Sequence, residues 1–177
     1  DGGFTWGAPQ ELAQLNSATE QSQFPHIFKL TGGTFMATFA RWKLEPSMDA
    51  LDASSDIFFA QSGDATTWTV EQVTSDPSDI TNDFTPAIFF DHAAAAHLEW
   101  TSIAFGDPAG DIVEMPVSAR ASFPSFVTTP APASGIPDHS PQIAALTVSG
   151  QPVYVAIWVR ITTAPHNQLV YRMFSTL

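Results

Sequence analysis

Two aspartates occupy matching places at which a carboxylate could contact a ligand. Asp83 and Asp138 each lie three residues before the proline of a repeated Pro-x-Ile motif. Glu20 and His139 lie in loops of the same kind. If these loops meet at one end of the fold, their side chains could bind a ligand or take part in catalysis. The alternative is that the acids form ordinary turns before proline, a role that suits aspartate.

Two arginines could add a binding site for an acid. Arg41 directly precedes Trp42, and Arg160 follows Trp158 by two residues. A guanidinium can hold a carboxylate through two parallel hydrogen bonds, so either arginine could recognise an acidic ligand. The sequence favours the competing interpretation, a salt bridge with one of the many acids of the chain, because such pairs are common.

The sequence predicts no metal and no cofactor, with calcium as the weaker alternative. Oxygen ligands for Ca²⁺ could come from two acidic loops, which contain Asp49, Asp52 and Asp56 in one and Asp107 and Asp111 in the other. Neither loop has a regular ligand spacing, which favours solvated acidic loops. The five His residues also lack the paired spacing of a zinc site.

The composition limits the classes of partner. Among 177 residues, 18 Asp and Glu stand against 6 Lys and Arg, a formal net charge of −12. Nucleic acids and anionic membranes require a cationic surface, so neither is an expected partner. No apolar run approaches the roughly 20 residues of a membrane-spanning helix. Because the chain has no Cys, it has no disulfide, thiol nucleophile or cysteine-ligated zinc.

The candidate residues must be positioned by strands. Short runs rich in Phe, Val, Ile, Thr and Trp are separated by Gly, Pro, Asp and Ser, a pattern typical of an all-β protein. Three first strands begin alike, in FPHIFKL, TPAIFFD and SPQIAAL. The second strands end at regularly spaced tryptophans and the third strands at regularly spaced serines: Trp42, Trp100 and Trp158, then Ser62, Ser118 and Ser175.

A period near 57 residues with about four strands per unit predicts the blades of a β-propeller. Fourth strands would be TWTVEQVT and SFPSFVTT, and the opening DGGFTWGAPQELAQ would be a fourth strand for the last unit. The predicted units are an outer strand at 1–23, blades at 24–81 and 82–139, and a partial blade at 140–177. We therefore expect a single propeller segment of about three four-stranded antiparallel blades.

The turns between the third and fourth strands resemble the Asp-box, or BNR, repeat of sialidase-like β-propellers, Ser-x-Asp-x-Gly-x-Thr-Trp. Its last four fixed positions match Asp1, Gly3, Thr5 and Trp6. A second copy, one residue short and without the glycine, contains Ser62, Asp64 and Trp68. In such a turn the Asp accepts hydrogen bonds from backbone amides and the Trp packs into the blade, so these seven residues are assigned a structural role.

The resemblance implies several functions. The sialidase family hydrolyses terminal sialic acids with three arginines, an Asp acid/base and a Tyr–Glu nucleophile pair. Here Tyr154 and Tyr171 both fall within predicted strands, and no Arg-Ile-Pro motif is present. No catalytic residue can be assigned, which favours an extracellular or cell-surface module that recognises glycans or serves as a scaffold, without catalysis. The alternatives are a sialidase-like glycoside hydrolase whose site is completed by other blades, and a structural segment without a ligand.

A three-bladed segment also needs a neighbour. Propellers hold 4–8 blades because ring closure buries the apolar blade faces, and an open fan would expose two of them. Two copies of this chain could close a six-bladed ring with C2 symmetry, or the remaining blades could belong to a longer chain. The matching ends of the sequence favour the two-copy ring.

Overall fold

The computed structural model describes residue 12 and residues 20–43, 54–75, 81–104, 110–122, 128–131, 138–160 and 167–175. These residues form eleven β-strands and one short 3-10 helix, which confirms the predicted all-β class. Within the same ranges, no helix has the length and hydropathy to cross a membrane. The elements in chain order are β1 (Glu20–Lys29), β2 (Phe35–Lys43), β3 (Ser55–Ser62), β4 (Thr69–Gln72), β5 (Thr81–Phe90), β6 (Ala96–Ala104), β7 (Asp111–Pro116), the 3-10 helix (Val117–Ser122), β8 (Thr128–Ala131), β9 (Asp138–Val148), β10 (Gln151–Arg160) and β11 (Gln168–Phe174).

The strands form three antiparallel meanders in which each strand pairs with the next along the chain. The first meander is β1–β4, the second is β5–β8 and the third is β9–β11. One parallel pair, Ser55 with Asn82, joins the first and second meanders, whereas the third is a separate sheet. Across the described strands these sheets do not close on themselves. The predicted unit boundaries fall close to the starts of β1, β5 and β9.

The repeated Pro-x-Ile motif builds the same bulge in the first strand of each meander. The residue before each proline has a positive φ, which is 53° at Phe24, 52° at Thr85 and 54° at Ser140. The strand register shifts at all three places. Positive φ is uncommon for residues other than glycine. Its repetition at one value shows that β1, β5 and β9 are structurally equivalent.

The register corrects the alignment of the tryptophans. The motif isoleucines are Ile27, Ile88 and Ile143, and they pair with Ala37, Leu98 and Ala156, respectively. Two residues further along β2, β6 and β10 come Phe39, Trp100 and Trp158. Phe39 is thus the equivalent of the other two tryptophans, and the sequence-based alignment of Trp42 with them is wrong. The equal 58-residue spacing misled because loops of different length separate the units.

The meanders pack on one another in a repeated way. We define face A of each meander as the side that bears the motif isoleucine, and face B as the opposite side. Face B of the first meander packs on face A of the second through the cluster that includes Met36, Ile57, Phe59, Leu98 and Trp100. Face B of the second packs on face A of the third through Phe89, Ile112, Ile143, Ala156 and Trp158. Each buried side chain of this kind contributes about 1.5–3 kcal/mol, so these two contacts hold the three sheets together.

The predicted fourth strands have different outcomes. TWTVEQVT contains β4 as expected. In the second meander, the chain after β7 turns into the 3-10 helix, and β8 begins only at Thr128. Residues 1–11, predicted to begin a fourth strand, lie outside the described part of the chain.

Candidate functional site

Asp138 and Arg160 form a closed ion pair between the start of β9 and the end of β10. The two residues lie opposite each other in the antiparallel register. Arg160 donates from Nε to Oδ1 at 2.8 Å and from Nη2 to Oδ2 at 2.9 Å. Asp138 has no exposed surface, and its hydrogen bonds raise the pKa of Arg160. The structure therefore brings these two predicted site residues together, but each satisfies the other.

Asp83 is buried at the contact between the first and second meanders. Its Oδ1 accepts a hydrogen bond from Trp100 Nε1 at 3.1 Å. Its backbone carbonyl accepts a second one from Ser55 Oγ in β3, at 2.8 Å. In this arrangement Asp83 fixes an indole ring and joins two meanders.

Arg41 and Glu20 lie on the first meander. The Arg41 side chain is on face A and is buried, with its guanidinium over the ring of Phe58 at 4.4 Å from the centroid. Phe39 lies beside the same guanidinium, at 5.8 Å. Glu20 begins β1 opposite Lys43. The structure thus gives Arg41 an aromatic partner instead of a place beside Asp83 and Asp138.

A row of three rings crosses all three meanders at the end where β5 and β9 begin. The ring centroids of Trp42 and Phe84 are 6.3 Å apart, and those of Phe84 and His139 are 5.3 Å apart. All three side chains are partly exposed. Burial lowers the pKa of His139, although the neighbouring Asp138 charge opposes this. We call Trp42, Phe84 and His139 the aromatic row.

The aromatic row contains one predicted site residue and two that the sequence did not single out. The sequence marks Trp42 only as the end of a strand and assigns Phe84 no role. A signal for Phe84 was present, since Phe84 and His139 both lie two residues before a motif proline. Partly exposed rings in a line can offer stacking surface to a ligand.

A second group of titratable residues is buried on face B of the second meander. Glu99 and Glu114 lie directly opposite each other on β6 and β7. Glu99 accepts a hydrogen bond from the N–H of Ile143 at 2.9 Å, and burial raises its pKa to about 8. His97 contacts Glu114 through Nδ1 and Asp91 Oδ2 through Nε2, the latter at 3.3 Å. Burial alone would lower the pKa of His97, but Glu114 and Asp91 outweigh it and raise that pKa.

These acids do not form a metal site. Within the described ranges, no group of three or more His, Asp or Glu residues has a metal-binding arrangement. Of the loop acids considered for Ca²⁺, Asp56 lies in β3 and accepts a hydrogen bond from Gln72 at 2.8 Å. Asp111 begins β7. Asp49, Asp52 and Asp107 lie outside the described residues.

The turn after β3 is organised by Asp64. Its Oδ1 accepts hydrogen bonds from the N–H groups of Thr66 and Thr67 at 2.8 and 2.7 Å, and from Ser62 Oγ at 3.0 Å. These bonds hold the pKa of Asp64 far below its usual range. The indole of Trp68 donates to the carbonyl of Ala65 at 3.3 Å. The corresponding residues of the other predicted box, Asp1, Gly3, Thr5 and Trp6, lie outside the described part of the chain.

Comparison with known proteins defines the class of fold. No family model and no curated protein matches the sequence. Among solved structures, the Hadza microbial sialidase Hz136 is similar, with a TM-score of 0.53 and 12% sequence identity over 85% of this chain and 35% of that chain. Zg3597, a family 117 glycoside hydrolase of the marine bacterium Zobellia galactanivorans, has a TM-score of 0.51 and 14% identity over 84% of this chain and 55% of that chain.

The chain therefore shares its fold with part of each of these two proteins. It spans roughly a third of the length of the sialidase and roughly half of that of Zg3597. At such low identity the likeness concerns the fold, and function must be argued from the side chains of this chain.

Proposed function

We propose that this chain is a β-propeller segment that recognises glycans without hydrolysing them. The observation that carries the proposal is the aromatic row, whose three rings lie 6.3 and 5.3 Å apart and are partly exposed. Flat rings of this kind pack against the apolar faces of sugar rings, while nearby polar groups bond to hydroxyl groups. Phe84 and His139 come from equivalent first strands and Trp42 comes from the second strand of the first meander, so each meander contributes one ring, as the blades of a propeller would at a shared ligand site.

The state of the acidic residues favours binding over hydrolysis. A glycoside hydrolase needs two carboxyl groups that flank the scissile bond. Asp138 is held on both oxygens by Arg160, and Asp83 is buried against Trp100. Neither carboxylate is presented to a substrate in this arrangement.

The tyrosines also argue against a sialidase-like reaction. Tyr154 is buried, stacks on Phe174 with centroids 5.6 Å apart, and meets His92 edge-on. Tyr171 is 70% exposed but lies on the outer face of the third meander. Neither has the surroundings of a nucleophile activated by an adjacent general base.

The ligand class that fits best is a neutral glycan. Arg160 is paired with Asp138, and Arg41 is buried against two aromatic rings, so neither guanidinium is presented to an acidic sugar. The net charge of −12 further disfavours anionic ligands. Neutral sugars are unaffected by both features.

Hydrolysis of glycosides is the second candidate function. It is favoured by the fold likeness to proteins described as a sialidase and a family 117 glycoside hydrolase. In this case the catalytic groups would come from blades outside this chain. We also propose that Ser62, Asp64 and Trp68 form an Asp-box, which the hydrogen-bonded turn at Asp64 supports. This structural role is compatible with both functions. A location outside the cell is compatible with both as well.

The test is a glycan array followed by hydrolysis assays. We expect binding to neutral glycans and no release of 4-methylumbelliferone from its sialosides or neutral glycosides. Turnover of any of these substrates would replace the first function with the second. Absence of binding to every glycan on the array, together with absence of turnover, would leave only a scaffold role.

The proposed propeller also requires completion of its ring. Either a second copy of this chain or further blades of a longer chain would supply the missing sheets. The outer faces of the first and third meanders bear on the choice between a second copy and a longer chain.

A further inference from the structure

The third meander exposes a continuous apolar face. On β11, Leu169, Tyr171 and Met173 are 75%, 70% and 52% exposed, on the side opposite to Val170 and Phe174, which pack against the core. Ile157 on β10 and Leu146 on β9 extend the same face B, at 40% and 46% exposure. The strand register also places three valines of β10 on this side, Val153, Val155 and Val159. None of these side chains is charged, and such a patch marks an interaction surface.

Face A of the first meander is exposed in part: its central residues are buried, but it is open at Ile27 and at a neighbouring cleft. Ile27 is 61% exposed on face A of β1, above a floor of Ala37, Phe39 and Ala60. A cleft of about 420 Å³ opens there, between Ile27, Phe39 and Leu12. Leu12 packs along one side of the floor without covering Ile27. A cleft of this size can accept protruding apolar side chains.

The two exposed faces are the unused halves of an interface that the chain already builds twice. Face B of the first meander receives face A of the second, and face B of the second receives face A of the third. What remains is a face A at one end and a face B at the other. Because the second meander lies between them, the two end faces of one copy cannot meet.

We propose that face B of the third meander docks on face A of the first meander of a second copy. The second copy makes the same contact with the first copy, so that two chains close one ring of six sheets. The inference rests on the proposed propeller and names its partner. The contact is head-to-tail, since two different surfaces meet, and two-fold symmetry forms it twice. The many acids of the chain do not oppose it, because the uncharged face B brings none into the contact.

The head-to-tail arrangement gives a test that no other dimer passes. We expect wild-type protein to have about twice the 19.1 kDa chain mass by light scattering. Ile27→Glu blocks face A and Leu169→Glu blocks face B, and each change would place a charge in both contacts of the ring. Since burial of a carboxylate among apolar side chains is strongly unfavourable, each variant should raise the dissociation constant at least about 100-fold.

Mixing the two variants should restore a particle of twice the chain mass. The Ile27→Glu copy keeps an intact face B, and the Leu169→Glu copy keeps an intact face A, so one good contact remains. Gln168→Glu is the control, because Gln168 is exposed on the same strand but does not lie on face B. It should leave the wild-type mass unchanged.

Three results would overturn the proposal: a monomeric wild type, an effect of only one of the two variants, or a mixture that stays monomeric. Both substituted side chains are exposed, so the monomers should fold, as near-ultraviolet circular dichroism will verify. If Ile27→Glu loses that signal, Ile27→Gln takes its place in the same scheme. Glycan binding is measured separately, so a failed array and a failed ring are distinguishable.

Discussion

Ile143 donates its backbone N–H to Oε1 of Glu99 at 2.9 Å, and this bond joins the second and third meanders. Ile88, at the same position of the repeat, donates to Nδ1 of His26 at 3.1 Å and joins the first and second. The bulge before each isoleucine interrupts the strand ladder and leaves such groups in need of another partner. The preceding meander supplies it, as an imidazole at one interface and a carboxyl group at the other.

Replacing Glu99 with Gln should remove a loss of stability at alkaline pH. Burial raises the pKa of Glu99 from 4.5 to about 8. Because the folded-state pKa lies above the unfolded value, the stabilisation is complete below about pH 4.5 and is lost as pH rises through 8. Glu99→Gln keeps an oxygen for Ile143 and cannot ionise, so its urea unfolding should change less between pH 5 and 8.5. Glu71→Gln, which removes a partly exposed carboxylate paired with Arg120, is the comparison for loss of a charge, and an unchanged pH slope in Glu99→Gln would contradict the assignment.

The His26 bond predicts the opposite trend at the other interface. Burial lowers the pKa of His26, and Nδ1 must be unprotonated to accept from Ile88. Its stabilisation is therefore present above the unfolded pKa of 6.5 and is lost as pH falls through the folded value. After correction for the pH dependence of exchange in unstructured peptides, the Ile88 amide should exchange faster at acidic pH. The Ile143 amide should exchange faster at alkaline pH. His26→Asn, which offers an amide oxygen in place of Nδ1, should remove the acid effect alone; equal responses of both amides would refute the scheme.

The pair of Asp138 and Arg160 should be important for stability. Asp138→Asn keeps the shape but removes the charge, leaving Arg160 with a poor partner at a buried site. Loss of one member of a fully buried pair costs about 3–5 kcal/mol, and the partial exposure of Arg160 should reduce this loss, which urea unfolding measures. The double variant Asp138→Asn/Arg160→Gln should recover part of that loss, because no unpaired guanidinium remains. A single variant as stable as the wild type would show that the pair makes no net contribution.

The sequence predicted the strands better than it predicted their partners. The Pro-x-Ile motif located β1, β5 and β9 because a proline bulge and an alternating apolar run are local features. Trp42 was misaligned because the spacing between tryptophans of different meanders depends on the lengths of the loops, and loop lengths do not determine how strands pair. Asp83 and Asp138 occupy equivalent positions before their prolines, but they lie in β5 and β9 and not in the loops that the sequence indicated; their bonds to Trp100 and Arg160 depend on pairing across strands, which one sequence does not display.

The turn at Asp64 should respond to the loss of one oxygen. Asp64→Ala removes the acceptor of the Thr66 and Thr67 amides, so both should exchange with solvent much faster in NMR hydrogen-exchange experiments. Asp64→Asn retains Oδ1 and should protect them better than Ala. The Ile143 amide, in the third meander, serves as the internal reference. Unchanged exchange in Asp64→Ala would mean that the backbone alone maintains the turn.

Phe84 is the central ring of the aromatic row, and its replacement tests the proposed glycan site directly. Phe84→Leu keeps an apolar side chain for packing but removes the flat surface between Trp42 and His139. An aromatic contact is worth about 0.5–1.5 kcal/mol beyond its buried area, so the dissociation constant for a glycan found on the array should rise about 2- to 12-fold. Phe90→Leu is the matched control, because Phe90 lies at the opposite end of β5, where its ring contacts that of Phe28. Isothermal titration calorimetry of both variants decides the matter: weakened binding in Phe84→Leu alone places the sugar on the row, whereas equal affinities would move the site elsewhere.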